Sequence, residues 1–251
     1  MKKNRFFILA IILVMSILAA GCAAGSGEAL TVGTEAAYPP FEKLEGGQIV
    51  GFDIDVMKAV AKEAGIEIKF ENIAWDPLFE GVKNGNLDMG ISAITVTEER
   101  KKDWDFSNAY FEATQLIMVP ADSDVKSMAD LDGKKIGVQT GTTGEIAVKE
   151  ALGEQYQGLH GYDSTPAAVD DLFNGRVEAV VADNAVMQQY LKDFPDQKVK
   201  LIEDPTFAIE EYGIMVQKGN AKLQKKLNDA IAKIKENGTY DEIMKTHFGE
   251  Q

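Results

Sequence analysis

Cysteine is almost missing from this chain: Cys22 is the only one in 251 residues, so an intrachain disulfide is excluded. Histidine is nearly as scarce. His160 and His247 are the only two, and neither stands in a motif that would make it a catalytic base or a metal ligand, so no metal site is expected. Positive charge is in deficit, with 26 Lys and Arg against 40 Asp and Glu and a net charge of −14, which argues against nucleic acid as a partner. Long apolar runs are missing as well, apart from one at the N-terminus. That run, Phe6 to Ala20, is interrupted only by Ser16. It has about 15 residues where a membrane span needs roughly 20. With no second such run, the chain does not read as the ectodomain of a spanning receptor.

What is present begins with a compartment signal. Lys2, Lys3 and Arg5 precede the apolar run, and Ala19-Ala20-Gly21 leads from it into Cys22. Charge, short apolar core and small residues are the parts of a secretory signal. Leu18-Ala19-Ala20-Gly21-Cys22 resembles a bacterial lipoprotein signal, in which the cysteine receives the lipid. It departs mildly from that pattern, with Ala19 at the place usually held by a large aliphatic residue, and cleavage by an ordinary signal peptidase is the alternative. Residues 1–21 are read as the signal peptide and 22–28, small and polar, as a flexible tether. Removing 1–21 takes away three positive charges and leaves 230 residues with a net charge of −17. That length suits one large domain or two of about 115.

Strand and helix patterns then alternate, which indicates an α/β fold with largely parallel sheets. Strands are expected at Leu30–Thr34, Ile66–Asn72, Met89–Ile94, Lys135–Gln139, Val177–Ala182 and Tyr212–Val216. Helices are expected at Asp53–Ala64, Pro77–Lys83, Thr143–Leu152, Pro166–Phe173, Asn184–Lys192, Ala221–Asn237 and Thr239–Phe248, with a helix start at Thr97–Lys102. One unit occurs twice. Pro77 to Ala93 and Ala167 to Asp183 both read as a helix, an Asn-Gly stop, an aliphatic, an acid and a buried strand, offset by 90 residues. Either two αβ units share punctuation, or two equivalent lobes turn their strand ends toward one cleft, where ligands of open α/β sheets bind.

Four places carry candidate chemistry. Ser92, Thr95 and Thr97 follow a strand, and Arg100 falls in a first helical turn, where acids rather than cations are favoured. Arg100 either meets an anion or pairs on the surface with Glu98, Glu99 or Asp103; Thr95 is either a site hydroxyl or one half of a capping box with Glu98. Gly141-Thr142-Thr143-Gly144, between a strand and a helix, is a turn able to accept an anion. Asp183 closes a buried strand, either as a carboxylate toward the strand ends or as the cap of the next helix. Tyr38 precedes Pro39-Pro40 and Trp75 precedes Asp76-Pro77, so both are expected on loops, where function concentrates.

The stretches Leu30-Thr-Val-Gly-Thr-Glu-Ala-Ala-Tyr-Pro-Pro-Phe-Glu42, Gly51-Phe-Asp-Ile-Asp55, Ile94-Thr-Val-Thr-Glu-Glu-Arg-Lys-Lys102, Asp105-Phe-Ser107, Asp130-Leu-Asp-Gly133, Gly137-Val-Gln-Thr-Gly-Thr142 and Glu236-Asn-Gly-Thr-Tyr240, in order, resemble the polar-amino-acid solute-binding proteins of ABC importers. The resemblance implies the two-lobed type II periplasmic-binding-protein fold. Each lobe would be a mainly parallel sheet flanked by helices: 29–111 with 212–251, and 112–211. Two strands would cross between the lobes near Ala109–Thr114 and Phe207–Tyr212.

By the same resemblance Arg100 clamps a ligand α-carboxylate with Thr95 and the backbone at Ala93 and Thr143, Thr142 lying beside them. Asp183 takes the α-ammonium with the Ala93 carbonyl region, and Tyr38 and Trp75 sandwich the ligand. Glu35 stands where such proteins place an acid against the ligand side chain, and Gln139 where some glutamine binders have lysine. Relatives often have glycine at Ala93 and glycine or serine at Thr143. An acid beside an aromatic suits a cationic side chain, so arginine or another basic amino acid is expected, with glutamine second. The implied partners are a free amino acid, a permease and an ATPase, and the membrane through an N-terminal lipid. The chain would be an extracytoplasmic monomer without a cofactor. The alternatives are a periplasmic location, an enzyme on the same fold such as a cyclohexadienyl dehydratase, and a sensing partner of a membrane receptor.

Overall fold

Two five-stranded sheets with one shared plan organise the chain. The computed structural model describes residues 29–249, so the signal peptide, Cys22 and the tether lie outside the described residues. The first stretch runs β1 (Leu30–Thr34), a hairpin of β2 (Ala37–Tyr38), β3 (Glu42–Glu45) and β4 (Gln48–Val50), α1 (Phe52–Ala64), β5 (Ile68–Asn72), α2 (Trp75–Lys83), β6 (Met89–Gly90), α3 (Arg100–Asp103), β7 (Trp104–Phe106) and β8 (Phe111–Ala113). The second runs β9 (Gln115–Pro120), a 3₁₀ turn (Met128–Leu131), β10 (Ile136–Gln139), α4 (Thr143–Leu152), β11 (Leu159–Tyr162), α5 (Thr165–Phe173), β12 (Ala179–Asp183), α6 (Asn184–Asp193), β13 (Val199–Ile202) and β14 (Glu210–Tyr212). The chain ends with β15 (Met215–Gln217), α7 (Ala221–Glu236) and α8 (Thr239–Phe248).

The first sheet is ordered β5-β1-β6-β15-β7 and the second β11-β10-β12-β9-β13. In each, the first two pairings are parallel and the last two antiparallel. The sheets are therefore mixed rather than mainly parallel. The antiparallel members, β15 and β9, are the strands that follow directly from the crossings between lobes, so they enter their sheets from the opposite end. The crossings are β8 and β14, which pair antiparallel with Phe111 opposite Tyr212 and Ala113 opposite Glu210.

The 90-residue echo is structural. α2 spans 75–83 and α5 spans 165–173, and β6 and β12 start at 89 and 179. Both helices end at an asparagine with φ near −90° (Asn84 −88°, Asn174 −89°), followed by a left-handed glycine: Gly85 has φ 74° and Gly175 φ 69°. A side chain is strained there, which is why Asn-Gly marks both stops. The same offset sets Ala93 of the first lobe against Asp183 of the second.

Several expected boundaries shift. The strand expected over Met89–Ile94 is two residues long, because the chain leaves the sheet at Ile91 to build a turn over the cleft. The helix expected from Pro77 begins at Trp75, so Trp75 sits in a first helical turn rather than on a loop, and Tyr38 lies in the two-residue β2. Beneath the crossing strands is an aromatic cluster. Phe41 lies 5.0 Å from Phe111 and 5.3 Å from Tyr212 between ring centroids, and Phe52 lies 5.1 Å from Phe248. Such pairs contribute about 0.5–1.5 kcal/mol beyond their area. They tie the hairpin, α1, α8 and both crossings into one packed base.

Candidate functional site

Four strands end where the sheets face each other. β1 runs into Glu35, β6 into the Ser92–Thr95 turn, β10 into Gln139 and the Gly141–Thr143 turn, and β12 ends on Asp183. Between them is a cavity of about 400 Å³, counting its solvent-open part. It is lined by Glu35, Tyr38, Trp75, Ala93, Thr95, Arg100, Gln139, Thr142, Thr143 and Asp183, and also by Ser92, Gln115, Gly144, Thr165 and Ala182. The ten residues to which the resemblance gave a place at the ligand thus border one cavity, whereas Thr97 and Gly141 do not line it.

The local ambiguities resolve through partners. Glu98 pairs with Lys101, Glu99 with Lys102 and Asp103 with Lys83, and Arg100 pairs with none of those acids. Its Nη1 donates to the Thr95 carbonyl at 2.7 Å and its Nη2 crosses to the Gly141 carbonyl at 3.1 Å. The guanidinium stacks 5.4 Å from the Trp75 ring centroid and 5.1 Å from that of Phe79. Burial pushes its pKa down to about 10, with Glu210 and Asp183 opposing the shift, so it stays cationic at neutral pH. Thr97, not Thr95, caps the turn, accepting from Arg100 N at 3.1 Å. Thr95 Oγ1 is turned toward the crossing strand, where it donates to Glu210 Oε2 at 2.6 Å.

Asp183 precedes α6, yet its side chain makes no cap bond. Its Oδ1 accepts from Gln115 Nε2 at 2.5 Å and its Oδ2 from the Tyr212 hydroxyl. Burial raises its pKa to about 6, helped by the nearby charge of Glu210 and opposed by the bonds from Tyr212, Gln115 and Tyr38. A buried carboxylate held by neutral donors is suited to a cationic group.

On the second lobe, Thr142 caps α4 by accepting from Glu145 N, and Thr143 Oγ1 donates to Glu210 Oε2 at 2.8 Å. Gly144 follows because a Cβ there would fall 2.9 Å from the Val181 carbonyl and 3.1 Å from Gln115 Oε1. Trp75 Nε1 donates to the Gly141 carbonyl at 3.3 Å, and Asp183 N to the Tyr38 hydroxyl at 3.4 Å. Glu35 accepts from Gln139 Nε2 at 2.7 Å, and burial raises its pKa. Ala93 differs from expectation in one respect. Its N–H points away from the cavity, donating to Asp53 Oδ2 at 2.7 Å, and its backbone is left-handed with φ 47°. That conformation is uncommon for a residue with a Cβ.

Three residues at the heart of the site were not anticipated. Gln115 starts β9, and Glu210 and Tyr212 stand on β14. Gln115 Nε2 faces Asp183, Glu210 and Thr143, while its Oε1 is buried without a hydrogen-bond partner. These stretches carry no glycine, threonine or helix-start signal; only their place where the chain crosses between lobes marks them.

Two sheets of identical plan, joined by two crossing strands around a polar cleft, define a two-lobed type II periplasmic-binding-protein fold. The chain belongs to the bacterial extracellular solute-binding proteins, family 3, whose model matches residues 30–250. It is similar to a probable histidine-binding protein of Neisseria gonorrhoeae, at 39% identity over 93% of this chain and 88% of that one. It is similar also to the ABC transporter arginine-binding protein 1 of Escherichia coli K12, at 37% over 90% and 93%. Among solved structures, the arginine-, lysine-, histidine-binding protein ArtJ of Geobacillus stearothermophilus superposes with a TM-score of 0.87 at 45% identity, covering 89% of this chain and 96% of that one. Matches to a glutamine-bound ancestral arginine-binding protein and to cystine-binding proteins accompany these.

Proposed function

We propose that this chain is the extracytoplasmic substrate-binding component of an ABC amino-acid importer, and that it captures a basic amino acid in the cleft. Charge balance is the observation that carries the reading. The cleft holds one cation, Arg100, against Glu35 and Asp183, with Glu210 on the wall behind. The α-carboxylate and α-ammonium of an amino acid cancel one another, so a cationic side chain offsets the acidic excess best. Arg100 would take the α-carboxylate with Thr95, Thr142 and Thr143. Asp183, the free Oε1 of Gln115 and the Ala93 carbonyl would take the α-ammonium. Tyr38 and Trp75 would flank the ligand, and Glu35 with Gln139 would meet its side chain. The relatives named above are binders, several of them arginine binders, which supports binding rather than catalysis; one similar solved structure, at 36% identity, is an ancestral amino-acid-binding protein described as a precursor of cyclohexadienyl dehydratase.

Ligand bridging the lobes would shift an open–closed equilibrium toward closed. The lobes would be 29–111 with 212–251 and 112–211, bending at β8 and β14. Cys22 would carry the lipid that holds the protein at the membrane, beside a permease and an ATPase. Titration calorimetry with single unlabelled amino acids tests the reading. Arginine, lysine or histidine should bind, and Arg100→Ala should bind each of them far more weakly. Tight binding of glutamine with no signal from any basic amino acid would overturn the preference.

A further inference from the structure

Behind the cleft wall of the first lobe lie two carboxyl groups with no assigned role. Glu42 on β3 and Asp53 in the first turn of α1 are both fully buried. Each has one oxygen satisfied. Glu42 Oε1 accepts from Ser92 Oγ at 2.8 Å, and Asp53 Oδ2 accepts from Ala93 N at 2.7 Å and from the Tyr110 hydroxyl at 2.8 Å. The other oxygens, Glu42 Oε2 and Asp53 Oδ1, are buried without a hydrogen-bond partner, and the two carboxyl groups adjoin: they hold the consecutive residues Ser92 and Ala93, and Asp53 N donates to the carbonyl of Phe41, the residue before Glu42, at 3.0 Å. The titratable groups facing them are Glu35, Tyr110, Tyr240 and His247. Of these only His247 can be cationic, and its Nε2 already lies 2.9 Å from Asp55 Oδ2.

Two adjoining carboxylates in a buried site cannot both ionise. We propose that Glu42 and Asp53 share one proton at neutral pH, and that this protonated pair is the positioning element for the Ser92–Ala93 turn of the cleft. A proton on Glu42 Oε2 donated to Asp53 Oδ1 gives both orphan oxygens a partner. Asp53 is the carboxylate of the pair, because its other oxygen already accepts two donors. Burial raises Glu42 well above the ordinary carboxylate range and Asp53 to about 6, in keeping with this division.

The link to the cleft is direct. Ser92 Oγ donates to Glu42 and accepts from Glu35 N at 3.0 Å, so Glu42 fixes the backbone of Glu35 through one hydroxyl. Asp53 holds the N–H of Ala93 and with it the left-handed backbone that turns the chain toward Thr95. Losing the proton would place two negative charges in contact under this turn. For each acid the folded pKa lies above the unfolded one. The stability each contributes is therefore full below the unfolded value and is lost as pH rises through the folded value. The unliganded protein should lose stability toward alkaline pH, and the cleft should lose shape with it.

The proton can be tested without any ligand; only its effect on affinity rests on the proposed function. Carboxyl ¹³C NMR of the unliganded protein at about pH 7 should show one protonated glutamate that is absent in Glu42→Gln. Glu42→Gln replaces the acid O–H donor with an amide N–H donor, so it should keep its fold, and its melting temperature should vary less between about pH 6 and 9 than that of the parent. Parent affinity should fall with alkaline pH by at most about tenfold per unit, and that of the variant should stay flat. A parent spectrum with no protonated side chain at pH 7 would overturn the shared proton even if the variant failed to fold. Parallel affinity profiles of parent and variant would overturn the positioning role. An absence of amino-acid binding would sink the proposed function and leave the NMR result standing.

Discussion

Gln139 Nε2 donates to Glu35 Oε2 at 2.7 Å, from one lobe to the other. The direction of that bond is set by Thr165, whose N–H and Oγ1 donate to Gln139 Oε1 at 3.1 and 3.0 Å. The amide cannot turn over without losing both, so Glu35 always meets an NH₂ group and keeps its remaining capacity for a ligand. Glu35→Gln should therefore weaken binding of arginine selectively. Hydrogen bonds to charged groups are worth about 1.5–3 kcal/mol, a factor of roughly 10 to 150. Calorimetry with arginine and glutamine in parallel checks this, and equal losses for both would refute a side-chain role for Glu35.

Arg100 is held by two carbonyls from different lobes and by the faces of Trp75 and Phe79. Arg100→Lys keeps the charge and loses the planar fork. Binding should fall by about 2–5 kcal/mol in Arg100→Ala, as on truncating one partner of a buried charge pair, and be restored only in part in Arg100→Lys. Far-ultraviolet circular dichroism should show both variants folded. Full recovery in the lysine variant would mean that charge alone suffices.

How legible this arrangement was in the sequence follows from how each residue is signalled. α2 and α5 were readable because amphipathic spacing and an Asn-Gly stop are local properties, and their repetition at 90 residues left two equivalent lobes as one of two readings. The hairpin from Ala37 to Val50 and strands of two or three residues, such as β6 and β8, are too short to show a period. Arg100 and Asp183 were visible as residues but not as roles. Whether Arg100 pairs with Glu98 or reaches Gly141 is decided 41 residues away, and whether Asp183 caps α6 depends on Tyr212. Gln115 and Glu210 gave no local sign, since their partners are all brought to them by the crossing of the chain.

Asp183 titrates near pH 6 in the unliganded protein, and an ammonium ligand requires its carboxylate. Asp183 should therefore give affinity an acid limb, a fall of up to tenfold per unit as pH drops below about 6, separate from the alkaline fall expected from the Glu42–Asp53 pair. The same shift acts oppositely on folding. The folded pKa lies above the unfolded one, so the stability Asp183 contributes is greatest in acid and is lost as pH rises through about 6. Asp183→Asn should bind more weakly at neutral pH and show no acid limb. Calorimetry across about pH 5 to 8 reads both effects, and an acid limb surviving in Asp183→Asn would assign it to another group.

The position of that acid limb should respond to the crossing strand β14. Tyr212 donates to Asp183 and holds its pKa down, whereas the charge of Glu210 pushes it up. Tyr212→Phe keeps the ring against Phe41 and Phe111, at 5.3 and 5.5 Å, and removes only the hydroxyl. The Asp183 carboxylate becomes harder to form, so the limb should move to higher pH. Glu210→Gln removes a neighbouring negative charge but keeps an oxygen for Thr95 and Thr143, so the limb should move to lower pH. Both substitutions remove a buried polar interaction and should cost about 1 kcal/mol of stability, so thermal unfolding alone would not tell them apart. Opposite displacements of the two affinity profiles would tie the strand between the lobes to the charge state of Asp183; displacements in the same direction would break that link.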